Sequence, residues 1–505
     1  MSPMQPLLIE NVQILELFDT QKPCAPRDIL IENGLISAVG VGIAASDVRR
    51  IDGRNRLVMP GLINAHFHSS VNHMKGRLDG MPLEIFMLYE SPALDELAPS
   101  PREAYLRTML GAIEMLESGV TAVQDDVFFV PYPSPEIIDA VGQAYADVGI
   151  RATIALDQPE LSEVEKLPFL DELASDDLAA ELRLRPIFDA PKLLEQYDHL
   201  ISRWHRAANG RVRAAVSCSA PQRVSPEYFR ALDRLSRKHD LPFYAHMLET
   251  KLQRVFGAER LGGRSLVRYT HDLGLLSERM NVIHAIWVDD SDLDLLAKSG
   301  ATIAHNPVSN LRLGSGIMPF RRMRDRGIPI CLGVDEAIAG DAIDMWDVMK
   351  TTGLIHNITD PNFDNWPKAR EILECATAGG ARAMGLGSAG GEIAQGELAD
   401  LILLDLDVMA FTPLNDLQRQ LVYCETGSSV DTVIVGGDIV VDAGNTTRVD
   451  RSAILAEARA LFAAKAPALA KAAAAMERYR PAYRAMYDKA ASQDVGMNRW
   501  VEQST

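Results

Sequence analysis

Hydrophobic positions along the chain recur with two textures, and the change between them divides it. Near the start, "PLLIENVQILEL" is followed by "DILIENGLISAVG", two strand-like runs hinged on Asn33-Gly34, a strong hairpin signal. The same texture returns far downstream in "GELADLILLDL" and "VDTVIVGGDIVVDAG", the latter broken by Gly-Gly. Two β-rich ends around a long middle predict one small β-domain assembled from both ends of the chain. Between them lie eight short apolar runs: "LVMPGLINAHFH", "GVTAVQDD", "IRATIALD", "VRAAVSCSAP", "LPFYAHMLE", "MNVIHAIW", "ATIAHNP" and "IPICLGVDE". They alternate with segments such as "PREAYLRTMLGAIEMLES" and "SPEYFRALDRLSRKHD", apolar at helical spacing and opened by Ser, Pro or Asp. Eight such units predict an α/β fold, a parallel (β/α)8 barrel of the TIM type, whose strands are buried on both faces and therefore almost continuously apolar. From residue 451 the chain turns Ala-rich and helical, an extension expected to pack on the barrel or at a subunit interface. The division is thus residues 1–60 and 389–450 for the β-domain, 61–388 for the barrel and 451–505 for the extension.

Catalytic groups in such a barrel sit at the C-terminal ends of its strands. The first run ends in His66-Phe67-His68; in a strand, positions i and i+2 share a face, so both imidazoles project from one side. A bare pair of this kind reads either as two tolerated histidines or as half of a metal site. The other strand ends decide for the metal: the fifth carries His246, the sixth His284 and the eighth Asp335. Neutral imidazole and carboxylate are the ligands of a hydrolytic zinc or iron(II) centre. Three residues beyond His246 stands Glu249, a carboxylate placed to shuttle protons for a water that a metal makes acidic.

Composition narrows the partners. A net charge of -18 argues against a nucleic-acid surface, since phosphates would be repelled. The five cysteines (Cys24, Cys218, Cys331, Cys375, Cys424) are scattered and form no CxxC, which fits a reducing compartment. "MSPMQPLLIENVQIL" lacks a basic region followed by a long apolar one, and no apolar stretch reaches membrane-spanning length. The expectation is a cytoplasmic enzyme with a small-molecule substrate, no membrane and no nucleic-acid partner.

The strand-end motifs "PGLINAHFH", "HMLE", "NVIHAIW", "HNPVSNLRLGSGIMP" and "LGVDEAIAGDAIDMW", with "ATAGGARAMGLG" and "GELADLILLDL", resemble the amidohydrolase superfamily. More narrowly, they are similar to its branch of cytosine, guanine and methylthioadenosine/S-adenosylhomocysteine deaminases with triazine hydrolases. The likeness runs from about residue 7 to residue 445 and includes the split β-sandwich. It implies that His66, His68, His246 and Asp335 bind one divalent metal, zinc or alternatively iron. It also implies that His284 lies beside the metal water and the substrate, and that Glu249 is the proton shuttle. Binuclear members use a carboxylated lysine at the end of strand four; "RVRAAVSCSAP" has none, so a mononuclear centre is expected. Relatives often carry His-Ala-Pro where this chain has Ser219-Ala220-Pro221, which removes one substrate contact and weighs against nucleoside-type substrates. No arginine follows strand three to hold a substrate carboxylate. Substrate contacts are assigned to His284, Glu336, Ser219 and His73.

The reaction this implies is hydrolytic deamination of an amino-substituted purine, pterin, pyrimidine or triazine. The alternatives are the same attack expelling another group from a carbamate, urea or chlorotriazine, and a catalytically dead scaffold, which the complete ligand set disfavours. Other signals are weaker. "GLGSAG" (Gly385 to Gly390) follows a helix rather than a strand and is not a dinucleotide loop. The HxE…PCxxC signature of the other nucleobase deaminases is absent. His305 is expected to order the strand-seven loop, Lys75 to line the pocket or a solvated loop, and Met74, Met81 and Met87 to pack in the core or wall the mouth. His199, His205, His239, His271 and His356 read as surface residues, and the extension as part of a homo-oligomer interface.

Overall fold

A computed structural model describes residues 5–15, 25–90, 92, 97–130, 132–186, 189–340, 342–386 and 391–501. Cys24, the end of "GLGSAG" and the expected boundary at 388 lie outside the described residues. Strands from both ends of the chain share one nine-stranded sheet, in which Leu401–Asp405 pairs antiparallel with Arg56–Pro60 and Arg56–Pro60 runs parallel to Leu7–Ile14. The expected hairpin is present: Arg27–Glu32 pairs antiparallel with Leu35–Gly40 across Asn33 (φ 52°) and Gly34 (φ 80°).

The remaining strands are all parallel. Leu62–Phe67, Val120–Val127, Arg151–Leu156 and Val212–Ala214 form one sheet; Val216–Ser217, Phe243–Met247, Met280–His284, Thr302–His305 and Ile330–Leu332 form another. They adjoin at both edges. Ala215 donates its N–H to the Ile154 carbonyl (2.8 Å), and Asp335 donates to the His66 carbonyl (3.0 Å) while its own carbonyl accepts from His68 (2.9 Å). Helices between the strands start as their sequences dictate. Ser100, Ser134 and Ser225 each precede a proline and cap the third helical N–H of Pro101–Glu117, Pro135–Val148 and Pro226–His239.

Two expected strands are subdivided. "LVMPGLINAHFH" breaks at Gly61: Arg56–Pro60 belongs to the mixed sheet and Leu62–Phe67 to the parallel one. The physical reason is proximity, because a Cβ on Gly61 would sit 2.0 Å from Thr121 Oγ1, and only glycine lets the chain cross there. The fourth run breaks at Ala215, where the two parallel sheets meet. The extension forms helices Arg451–Met476 and Arg480–Ala491. The first is moored on Pro101–Glu117 by Arg102–Glu457 and Lys465–Glu103 ion pairs. Among the described residues, no helix is long and apolar enough to cross a membrane.

Candidate active site

The strand-end residues singled out above converge. His66, His68, His246, Glu249, His284 and Asp335 are all at least nine-tenths buried. Ligand atoms of His66, His68 and His246 lie within 4.8 Å of one another, as do those of His66, His284 and Asp335. Asp335 Oδ1 is 3.1 Å from His66 Nε2 and 3.5 Å from His68 Nε2. His66 Nε2 and His246 Nε2 are 3.2 Å apart.

Backbone carbonyls set the tautomers. His68 Nδ1 donates to the Asp126 carbonyl (2.5 Å) and His246 Nδ1 to the Ser219 carbonyl (2.7 Å), so each presents a bare Nε2 to the centre. Burial pushes the His66 imidazole down to about 4 and that of His246 well below its ordinary value. Neutral ring nitrogens at this separation repel unless a proton or a cation lies between them, and burial disfavours the proton. Burial alone would raise the Asp335 carboxyl, but the His66 hydrogen bond and the surrounding imidazoles outweigh it and hold the group well below the carboxylate range. Three basic nitrogens and one carboxylate converge, the nitrogens with no other partner among the described residues, and this suits a divalent metal.

Beside this set stand two groups with different surroundings. Glu249 Oε2 lies 3.5 Å from His284 Nε2. Burial first, then the charges of Asp335 and Glu84, push the Glu249 carboxyl well above its usual range. His284 Nδ1 faces Asn310 Oδ1 at 2.9 Å, leaving Nε2 towards Glu249 and, at 3.8 Å, Asp335 Oδ2. Ser309 donates to that same Asp335 oxygen (2.5 Å). The backbone is strained where these groups emerge: Ser219, Leu248, His284, Ala285 and Asp335 all have φ between 47° and 75°.

The other expected contacts sit as follows. Ser219 is fully buried, its carbonyl on His246 and its Oγ accepting from Arg223 Nη1 (3.1 Å). Glu336 is buried and hydrogen-bonded side chain to side chain with Glu90. His73 lies on the Ser69–Met74 turn with its ring 5.0 Å from that of Phe462, against the extension. Lys75 pairs with Glu114, and Met74 packs in a small core with Val71 and Phe86. One expectation is overturned: His356 is not a surface residue but buried, stacked on Phe320 and 3.1 Å from His305 Nε2. Its neighbours in sequence, Ile355 and Asn357, gave no sign of the ring contacts that cover it.

Several site residues went unrecognised in the sequence. Ser309 and Asn310 lie within the quoted "HNPVSN", so the motif itself was the signal. Arg223 stands four residues after Ser219, one turn on. Asp126 closes the quoted run "GVTAVQDD", so its strand-end position was the signal, and Glu90 carried none.

This geometry has counterparts. An amidohydrolase family model matches residues 57–440. A 5'-deoxyadenosine deaminase of Methanothermobacter thermautotrophicus is 31% identical over 464 residues, covering 90% of this chain and 98% of the relative. A 5-methylthioadenosine/S-adenosylhomocysteine deaminase of Pyrococcus furiosus is 31% identical over 450 residues, covering 89% and 98%. Among solved structures, an atrazine chlorohydrolase from Arthrobacter aurescens complexed with zinc superposes with a TM-score of 0.77 at 26% identity, covering 90% of this chain and all (100%) of that one. With the match spanning most of its length, the chain belongs to the amidohydrolase family.

Proposed function

We propose that the protein hydrolytically deaminates an amino-substituted nitrogen heterocycle, with ammonia as the leaving group. The observation that carries this reading is the four-ligand set of His66, His68, His246 and Asp335, with Glu249 and His284 beside it and Ser217 and Ser219, not a lysine, at the end of strand four. Deaminase relatives at 31% identity support the choice of reaction. We assign one divalent ion per chain, zinc before iron, to those four side chains. When bound, it supplies Lewis acidity and lowers the pKa of a coordinated water.

The chain's own residues do the rest. Glu249, as the ionised carboxylate, takes a proton and, as the acid so formed, returns it to the departing nitrogen. His284, fixed by Asn310, places Nε2 beside Glu249 and Asp335, where it orients the reacting carbon's substituent. Asp335 is both ligand and acceptor from Ser309. Glu336 and Ser219, close to the ligands, are read as substrate-side groups, and His73 as lining farther out.

For the architecture, we read the two parallel sheets as one closed eight-stranded barrel, supported by the hydrogen bonds at both edges, and the terminal strands as a β-sandwich. The domain limits remain residues 1–60, 61–388, 389–450 and 451–505, with a cytoplasmic, homo-oligomeric enzyme as the working picture. Assays for ammonia across amino-purines, pterins, pyrimidines and triazines, beside metal analysis, test the function. The zinc-bound chlorohydrolase likeness keeps a second reading, loss of halide from a chlorotriazine, which chloride release without ammonia would select.

A further inference from the structure

The family match ends at residue 440, and residues well beyond it pack on the segments that carry the site. Helix Arg480–Ala491 buries Ala482, Tyr483 and Met486 in one apolar cluster with Ile85, Val164 and Leu252. Those three follow the parallel strands Leu62–Phe67, Arg151–Leu156 and Phe243–Met247, so the helix packs on the loops at their site-bearing ends. Lys251, two residues beyond Glu249, donates from Nζ to the Ala491 carbonyl (2.7 Å). The chain then crosses to the segments that follow Met280–His284 and Thr302–His305, and there Arg499 and Trp500 are tied down.

The Arg499 carbonyl accepts from the Ile317 N–H (2.9 Å), and its Nη2 donates to the Val288 carbonyl (2.6 Å). Trp500 donates from Nε1 to the Gly314 carbonyl (2.8 Å), and its ring meets that of Trp287 edge to face, 5.1 Å between centroids. Trp287, fully buried, donates from its own Nε1 to the next carbonyl, that of Ser315 (2.7 Å). Two indoles thus grip consecutive carbonyls of one turn. Gly316 has φ 121°, and a Cβ there would come 3.0 Å from the Arg499 carbonyl, so turn and tail are fitted to each other.

That turn ends the short helix Pro307–Arg312, which carries Ser309 and Asn310. Ser315 donates its N–H back to the Asn310 carbonyl and Leu313 donates to the Ser309 carbonyl, each at 2.9 Å. Ser309 in turn holds Asp335 Oδ2, and Asn310 faces His284 Nδ1. A helix of 6 residues has little stability of its own, so its place is set by what grips its ends. Movement of the turn is therefore passed to two groups of the site.

We propose that Arg499 and Trp500 are positioning residues: they fix the turn at Gly314–Ile317, and through it set Ser309 against Asp335 and Asn310 against His284. The role of His284 rests on the deaminase reading, that of Asp335 on the metal assignment.

Trp500→Phe keeps a ring against Trp287 and loses the bond to Gly314; Trp500→Ala loses both. Each is made alone and combined with Ser309→Ala or Asn310→Ala. Zinc affinity is read by chelator competition, kcat and KM by ammonia release from any accepted ring, and folding by melting temperature. Losing an outer partner of a metal ligand costs about 10–100-fold in affinity, so Ser309→Ala should fall in that range and Trp500→Ala, acting through it, should cost about threefold or more. Trp500→Ala should also lower kcat by about threefold or more with KM near wild type, and Trp500→Phe should fall between it and wild type. If the indole acts through this helix, it should add less than about twofold to the zinc loss of Ser309→Ala and to the kcat loss of Asn310→Ala, as coupled residues do. Additive losses in either cycle, or wild-type zinc affinity in Trp500→Ala, overturn the proposal. Should Trp500→Ala fail to fold, Trp500→Phe carries the same cycles. If no ring releases ammonia, the deaminase reading fails by itself, and the zinc cycle decides the positioning role.

Discussion

Glu249 and Asp335 are two buried carboxyls in one site, and their environments push them in opposite directions. That split is what the proposed division of roles, acid–base group and metal ligand, calls for. Glu249→Gln retains shape and hydrogen bonding but cannot take a proton. Turnover should fall by about 10²–10⁴-fold with metal content unchanged, as general acid–base catalysis contributes that range; kinetics paired with elemental analysis checks it. His284→Asn should likewise lower turnover and leave the metal bound, whereas Asp335→Ala should lose the metal. Full metal occupancy in Asp335→Ala, or a Glu249→Gln enzyme close to wild-type turnover, would reverse these assignments.

At the scale of elements, the site depends on how strand ends meet. Asp335 is held by reciprocal backbone bonds with the His66–His68 segment, so the first and last parallel strands present their ligands as one unit. Gly61 starts the first of these strands, and Thr121, against which it packs, is itself 1% exposed. Gly61→Ala must displace Thr121 or the strand. It should destabilise by about 1–3 kcal/mol, the usual cost of overpacking, and weaken metal retention because the shift reaches His66. Urea unfolding and chelator competition measure the two effects; an alanine variant equal to wild type in both would show that the crossing tolerates a side chain.

For the whole molecule, buried histidines set a dependence on pH. His66 and His356 fall from an ordinary 6.5 to about 4 and about 3, in both cases mainly through burial. For these two groups the unfolded chain binds more protons than the folded one as pH drops below 6.5, so the stability they contribute rises with pH across that window, against the opposite contribution of raised carboxyls such as Glu249. In metal-free protein, replacing His356 by Gln should therefore make the urea midpoint fall less on acidification from about pH 7 towards about pH 4 than it does in wild type; identical pH profiles for the two would contradict it. Assembly is the second property at this scale. In the 26 residues of Arg451–Met476 only Ile454, Ala458 and Ala472 are buried, and so long an Ala-rich helix with so much exposed surface suits a second copy. Light scattering at micromolar concentration should give a multiple of the chain mass, and a monomer's mass would count against the interface.

The sequence alone determined which side chains stand at the strand ends that the structure brings together, and where along the chain they fall. His66, His68, His246, His284 and Asp335 each end an apolar run, and side-chain period and burial are local properties that a single strand displays. The Ser-Pro helix starts and the Asn33-Gly34 hairpin were legible for the same reason. Tertiary structure decided the remainder. The carbonyls of Ser219 and Asp126 fix the His246 and His68 tautomers, and every residue has a carbonyl, so no letter marks them. His356 is buried by Phe320 and His305, more than thirty residues away in sequence, and Trp500 reaches the Gly314 carbonyl across 186 residues. Such contacts are chosen by how whole elements pack, which sequence periodicity, a property of one element at a time, does not contain.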